Sequence, residues 1–93
     1  MRIYHAPVSF SVEYEPEGGL HIIHLTEGRI VGGVDFRDSA GASCGVVLVD
    51  ADGVAIDIEI FSLPHFDLDA CAAEYGFSDR AGAIGMALAT AAA

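Results

Sequence analysis

The sequence feature that most constrains the fold is a pair of apolar segments joined by a turn at residues 50–53, Asp-Ala-Asp-Gly. The first segment, 46–49, is wholly apolar, and the second, 54–61, places β-branched residues at every other position. A period of two is typical of a strand with one buried and one wet face. Asp-Gly favours a hairpin because glycine adopts positive φ without steric cost. The predicted core-facing residues are Val54, Ile56, Ile58 and Ile60, and the predicted wet face comprises Ala55, Asp57, Glu59 and Phe61.

Three further strands are predicted before this hairpin. Residues 8–14 alternate apolar and polar side chains, and a turn at 15–19, rich in proline and glycine, leads into a second strand at 20–25. A weaker strand spans 29–36, where a pair of glycines indicates a bulge or the close approach of another backbone. The hairpin therefore completes a five-stranded pattern.

Beyond Pro64 the spacing of the apolar residues becomes helical. Asp67 or Asp69 is placed to cap a short helix that Gly76 ends, and Ser78 is placed to cap a second, alanine-rich helix. The apolar face of the first helix comprises Leu68, Cys71, Ala72 and Tyr75. Each glycine inside the second helix costs about 1 kcal/mol, so an ordered and a frayed end both stay open.

Together these segments predict a single α+β domain over residues 1–93. A small, mostly antiparallel β-meander of about five strands occupies 8–62, and one or two short helices occupy 67–92. Antiparallel sheets commonly pack one face on the core and leave the other in water. We expect the C-terminal helix, or a second subunit, to cover the apolar face.

The charge balance limits the classes of partner that we expect this protein to bind. The chain has a formal net charge of −10, from 14 acidic residues against four arginines. Such a chain repels phosphate backbones, so we expect no direct nucleic-acid binding, whereas a basic protein partner suits it. The longest uncharged run, 81–93, is shorter than the ~20 residues of a membrane span. Two cysteines, Cys44 and Cys71, and a start without an apolar leader predict reduced thiols in the cytoplasm.

The apolar content predicts self-association. The hydrophobic fraction of 53% exceeds what one small core requires, so we expect some apolar surface to be buried between subunits. The aromatic residues that a short helix would not cover are Phe10, Tyr14, Phe36, Phe61, Phe66 and Phe77. We predict a homodimer, or an assembly built from dimers. Its candidate interaction residues are Phe10, Tyr14, Phe36 and Phe61.

Two short motifs carry a family resemblance. Residues 14–22 contain Tyr-Glu-Pro-Glu followed by Leu-His-Ile, and residues 50–60 contain Asp-Ala-Asp-Gly followed by Ile-Asp-Ile-Glu-Ile. Over roughly residues 12–62 the chain resembles the bacterial domain of unknown function 2283 (DUF2283) family. His21 stands where that family usually has Tyr, and Asp57 where it usually has Gly. The resemblance implies no established activity. Some members look as if they sit beside small toxin-like proteins, which implies an antitoxin-like or partner-binding role.

Three histidines are candidate metal ligands: His21, His24 and His65. On a helix, the spacing of His21 and His24 would place both on one face, but on a strand it places them on opposite faces. Because residues 20–25 read as a strand, we expect no shared metal ion there and predict no cofactor.

Other chemical groups have structural explanations. Asp50 and Asp52 resemble the start of a calcium-binding loop, but Gly53 comes earlier than the glycine of such a loop and no acid closes the loop. We therefore expect a turn in which the aspartates hydrogen-bond the local backbone. Asp57 and Glu59 share a strand face and could do acid–base chemistry, but no nucleophile or positive clamp accompanies them. A cysteine–histidine pair lacks any local signature, and Cys71 fits a buried structural thiol.

These patterns order the candidate functions. The first is a non-enzymatic protein-interaction or structural module, an antitoxin-like partner of a basic protein by the resemblance. The alternative is a small-ligand or metal-binding protein that uses the histidines. The third is an enzyme of unknown type.

Overall fold

The computed structural model describes residues 10–91, and these form the α+β fold that the sequence predicts. The strands are β1 (Ser11–Glu15), β2 (Leu20–His24), β3 (Gly32–Arg37), β4 (Ser43–Val49) and β5 (Ala55–Ile60). The helices are α1 (Leu68–Tyr75) and α2 (Ala81–Ala91), preceded by short 3₁₀ turns at Leu63–His65 and Ser78–Arg80. The predicted start of the first strand, Val8 and Ser9, lies outside the described residues. No helix within residues 10–91 is long and apolar enough to cross a membrane.

The five strands form one antiparallel sheet in the order β1-β2-β5-β4-β3. The predicted sequential meander is wrong in one respect, because β2 pairs with β5 and not with β3. A hairpin, β1-β2, is joined edge to edge with a three-stranded meander, β3-β4-β5. β5, the last strand in the sequence, therefore lies at the centre of the sheet.

The segment between β2 and β3 passes across the ends of the two central strands. The backbone N–H of Leu25 donates to the Ile56 carbonyl at 2.8 Å, and that of Val31 donates to the Val49 carbonyl at 2.9 Å. These bonds tie the segment to β5 and β4 on its way to the far edge. The path brings Gly28 against Ile56, where a Cβ on residue 28 would lie 2.6 Å from the tip of the isoleucine side chain.

The β4–β5 hairpin forms as predicted, with one error in its core-facing residues. Gly53 adopts φ +81 in the turn, which allows Asp50 to pair with the far side of the loop. Ile56, Ile58 and Ile60 are buried, but Val54 precedes the strand and is 50% exposed. Ala55 is buried instead of wet. The cause is an irregularity where Leu48 and Val49 face β5, because an extra residue there reverses the alternation.

Both helices cover the same face of the sheet. Fully buried residues of the sheet, Ile23, Val47 and Ile58, share one core cluster with Cys71 of α1 and Ile84 of α2. Ile58 lies across from Ile23 on one side and from Val47 on the other, so the three form a row beneath the helices. The apolar face is thus buried within the chain, as predicted for the C-terminal helix.

The helix ends confirm some capping predictions and correct another. The Asp67 side chain accepts a hydrogen bond from the Ala70 N–H at 3.0 Å, and Gly76 ends α1 in the left-handed region at φ 80. Ser78 does not cap α2, since Phe77 precedes the 3₁₀ turn and no side chain caps that turn. Arg80 holds this junction to the sheet by donating to the Leu25 carbonyl at 3.2 Å.

Candidate functional site

The sheet face that the helices leave uncovered is the candidate site, and we call it the open face. The strand register defines two rows across it. The first row is Glu13, Ile22, Glu59, Val46 and Asp35, and the second is Ser11, His24, Asp57, Leu48 and Gly33. Ile22, Val46 and Leu48 are half-buried and do not belong to the core cluster. The open face therefore carries apolar residues on β2 and β4, separated by the carboxylates of Asp57 and Glu59 on the central strand β5.

A histidine held by two carboxylates links three strands on this face. His24 Nδ1 lies 3.0 Å from Asp57 Oδ1 on β5, and its Nε2 lies 2.7 Å from Glu13 Oε1 on β1. Asp57 is directly across from His24 in the register, while Glu13 lies two residues along β1 from Ser11, the residue across from His24 on that side. We call this set the His24 cluster. The β1–β2 hairpin brings Glu13 to His24, and Asp57 reaches His24 because β5 inserts beside β2.

The geometry of the cluster favours a charged imidazole. An ionised carboxylate only accepts hydrogen bonds, and a neutral histidine carries a single ring N–H. Carboxylate oxygens at both ring nitrogens therefore match the imidazolium, which donates twice. Partial burial lowers the pKa of His24, but the hydrogen bonds and charges of Asp57 and Glu13 outweigh it and raise the pKa above its ordinary value of 6.5. When His24 is protonated, the cluster places one positive charge between two negative ones.

His21 lies on the other face, as the alternation of a strand requires. It is 5% exposed, and its ring lies 4.6 Å from that of Tyr14, its neighbour across the β1–β2 pair. Neither ring nitrogen has a hydrogen-bond partner within residues 10–91. His21 and His24 therefore do not converge on one point.

The third histidine, His65, is exposed in the 3₁₀ turn before α1. It borders a shallow surface cleft that also includes Asp38 and Asp67. Asp67 already caps α1, and Asp38 accepts hydrogen bonds from the N–H groups of Ala40 and Ala42. Among the residues that the structure describes, no group of three or more His, Cys, Asp or Glu is arranged to hold a metal ion.

The Asp50 side chain stabilises the turn between β4 and β5. Asp50 Oδ1 accepts hydrogen bonds from the N–H groups of Asp52 at 2.8 Å and Val54 at 3.0 Å. A carboxylate oxygen occupied by local backbone donors closes the hairpin, as expected for an aspartate in such a turn.

Both cysteines are free and buried. Burial raises the pKa of the Cys71 thiol to about 12, and the nearby Glu74 charge adds to the effect. Burial also raises the pKa of Cys44, whose sulfur donates to the Phe36 carbonyl at 3.2 Å. Since the thiolate is the nucleophile, thiols that stay protonated at neutral pH are inert. Cys71 is a structural thiol, as its place on the α1 apolar face predicts.

The aromatic residues divide between the core and the surface. The expectation that Phe66 and Phe77 form surplus apolar surface is wrong, because they are 8% and 1% exposed. Among the candidate interaction residues, Phe10 and Phe36 pack partly against the core, and the Phe36 ring packs against Phe66 in a tilted arrangement with ring centroids 5.1 Å apart. Tyr14 is half-buried against His21. Phe61, at 48% exposure, is the most accessible of the four.

Sequence reasoning found the members of the open face but missed the His24 cluster. Asp57 and Glu59 are half-buried on one face, as the alternation predicts. Nothing in the local pattern joins Asp57 to His24, because 33 residues separate them in the chain. The missing signal was the pairing of β2 with β5. A search for carboxylates that could face a strand histidine would have named this pair as a candidate.

Comparison with known proteins adds no further constraint. No protein-family model, curated protein or solved structure matches the chain. The resemblance of residues 12–62 to the DUF2283 family therefore stays a prediction.

Proposed function

We propose that this chain is a non-enzymatic interaction module that binds a basic protein on the open face of its sheet. The observation that carries the proposal is the set of half-buried apolar residues Ile22, Val46 and Leu48, which lie on either side of the carboxylates of β5 on a face that no described helix covers. Protein–protein interfaces combine apolar side chains, which lose water on binding, with polar side chains that pair across the interface. Here the apolar residues supply burial and the carboxylates supply selectivity.

The distribution of charge favours a basic partner. The chain carries a net charge of −10, and Asp35 and Glu59 end or interrupt the row that contains Ile22. Lysine or arginine side chains would pair with these groups, whereas an acidic partner would meet repulsion over the whole surface. Glu13 and Asp57 are already neutralised in part by His24, so Glu59 is the first carboxylate we expect a partner to engage.

Further support comes from the sequence. The resemblance to the DUF2283 family suggests an antitoxin-like role, in which the basic partner would be a small toxin-like protein. Two free, buried cysteines suit the reducing cytoplasm, where we propose the protein acts. We also propose that the module is a homodimer, since its hydrophobic fraction of 53% is high for so small a core.

Affinity capture with matched variants tests the binding face. The bait is the tagged protein in native cell extract, and captured proteins are identified by mass spectrometry. We expect a basic protein to bind the wild type and to be lost with the double variant Ile22→Lys/Glu59→Lys. The control variant Met86→Lys also adds a cation, but on α2, where Met86 is 75% exposed. It should retain the partner.

Two results would contradict the proposal. Retention of the partner by the double variant would place binding elsewhere, provided that circular dichroism shows the variant to be folded. Capture of an acidic partner would remove the electrostatic argument. Raising the salt concentration should weaken the expected complex, because its charges lie at the surface.

A further inference from the structure

The outer edge of β3 is the least protected edge of the sheet. Five of its six residues are exposed, and Val34 is 44% exposed although it lies on the helix-covered side. Just before the strand, Ile30 and Val31 are 42% and 57% exposed. Within residues 10–91, β4 is the sole strand that pairs with β3. An edge strand presents unpaired N–H and C=O groups, so this edge is a template for another strand.

The first half of this edge lacks the usual protection. Edge strands are commonly blocked by lysine, proline, charges that point inward or bulges. Residues 30–34 read Ile-Val-Gly-Gly-Val, whereas Asp35, Arg37 and an irregularity between Phe36 and Arg37 lie in the second half of the strand. The opposite edge strand, β1, carries exposed Glu13 and Glu15 and has α2 packed near it. The β1 edge and the β3 edge therefore differ both in charge and in whether a helix packs near them.

The charge near β3 also differs from that of the whole molecule. Within residues 29–37 two of the four arginines, Arg29 and Arg37, accompany one acid, Asp35, and a second acid, Asp38, follows directly. Arg37 bonds within its own strand to Asp35 at 3.1 Å. Two copies of a chain with net charge −10 repel each other over most of their surface. Residues 29–37 carry two positive charges and one negative charge, so this segment itself adds no net negative charge to the repulsion between two copies.

We propose that β3 pairs with β3 of a second copy of this chain, antiparallel and about a two-fold axis normal to the sheet. The inference rests on the proposed homodimer and specifies its interface. The pairing would make one continuous ten-stranded sheet with all helices on one face and both open faces on the other. Two neighbouring copies of the partner-binding surface would then lie side by side.

The sequence favours one register. With Gly32 on the two-fold axis, Asp35 faces Arg29 of the other copy and Val34 faces Ile30, so opposite charges and apolar side chains pair. With Gly33 on the axis, Arg37 would approach Arg29. With Val34 on the axis, Asp35 would face Gly33 and gain no partner. We therefore expect Gly32 to lie opposite its own symmetry mate.

Single cysteines on β3 test both the interface and the register. A Cβ on Gly32 meets no atom within 4 Å, so Gly32→Cys should fold normally, and the native cysteines are buried. Residues facing each other across an antiparallel pair have Cα atoms about 4.5–5.5 Å apart, within the range that a disulfide bridges. With oxidised glutathione, we expect Gly32→Cys to give a covalent dimer. Val34→Cys should not, because its copies would stand about 13 Å apart along the strands.

The possible outcomes distinguish the proposal that β3 forms the interface from the proposal that the protein is a dimer. Mass is measured by light scattering after size exclusion, over a range of protein concentrations. We expect dimers for the wild type, monomers for Val34→Lys, and dimers for both Met86→Lys and the open-face variant Ile22→Lys. A dimer that persists in Val34→Lys without cross-linking at residue 32 would overturn the β3 interface but keep the homodimer. A monomeric wild type at every concentration would overturn both, yet leave the basic-partner proposal untouched.

Discussion

Truncation of Ile58 to alanine tests the assignment of the two sheet faces. Ile58 is 0% exposed and lies in the central strand, with Ile23 and Val47 facing it from the strands on either side. Deleting its outer carbons removes buried apolar area and leaves a cavity. The matched change is Ile22→Ala, the same deletion on the open face of the adjacent strand.

The structure sets the relative magnitudes. Buried Ile→Ala changes cost about 2–5 kcal/mol, and the value rises where the site cannot collapse. Collapse around Ile58 would require three hydrogen-bonded strands to move together, so we expect a loss of about 3–5 kcal/mol in the free energy of unfolding. Ile22 is half in water already and leaves no closed cavity, so its loss should be about 1 kcal/mol. In a domain of this size, ~4 kcal/mol corresponds to a drop in Tm of roughly 15–30 °C.

Urea denaturation followed by far-ultraviolet circular dichroism measures the difference, at one fixed protein concentration because of the proposed dimer. If Ile58→Ala does not fold, Ile58→Val provides the milder test, with an expected loss of about 0.5–1.5 kcal/mol. Equal losses for Ile22→Ala and Ile58→Ala would refute the reasoning, since both faces would then be equally covered.

Three other perturbations have definite expected outcomes. Gly45→Ala should lower the free energy of unfolding by about 1–3 kcal/mol through overpacking, because its Cβ would lie 2.7 Å from the Glu59 backbone carbonyl oxygen. Gly32→Ala is the control, since a Cβ there meets open space, and urea titration compares the two variants. His24 has a raised pKa in the folded state, so the stability it contributes is complete below its unfolded pKa of about 6.5 and is lost as pH rises through the higher folded value. The Tm difference between wild type and His24→Gln should therefore shrink as the pH is raised above about 6.5, and a constant difference would show that the cluster does not titrate. Asp67→Ala should cost about 1 kcal/mol by removing the α1 cap, measured by thermal unfolding, and Asp69→Ala should cost less.

The sequence predicted local structure better than it predicted pairing. The period-two pattern places Ile56, Ile58 and Ile60 correctly, because burial on one face is written into the order of residues. It misplaces Val54, because a bulge depends on how β4 and β5 align and not on either strand alone.

The same limit applies to the site and to the aromatic residues. Alternation identifies Asp57 as outward-facing, but only the β2–β5 pairing brings it to His24. Phe77 is buried because the chain turns between the two helices and returns over the sheet, a tertiary event that composition does not reveal. Local periodicity specifies faces, whereas long-range topology specifies neighbours.

The insertion of β5 between β2 and β4 has a consequence for how the protein is made. During synthesis the β1–β2 hairpin leaves the ribosome first, but its inner edge stays unpaired until residue 60 has emerged, since His21 pairs with Ile60. Closing so long a loop costs entropy before any core forms, which makes this contact a slow step. We expect nascent chains stalled before β5 to be degraded by added protease, and chains that expose residue 60 beyond the exit tunnel to resist it. Equal protection of both lengths would show that the hairpin is stable alone.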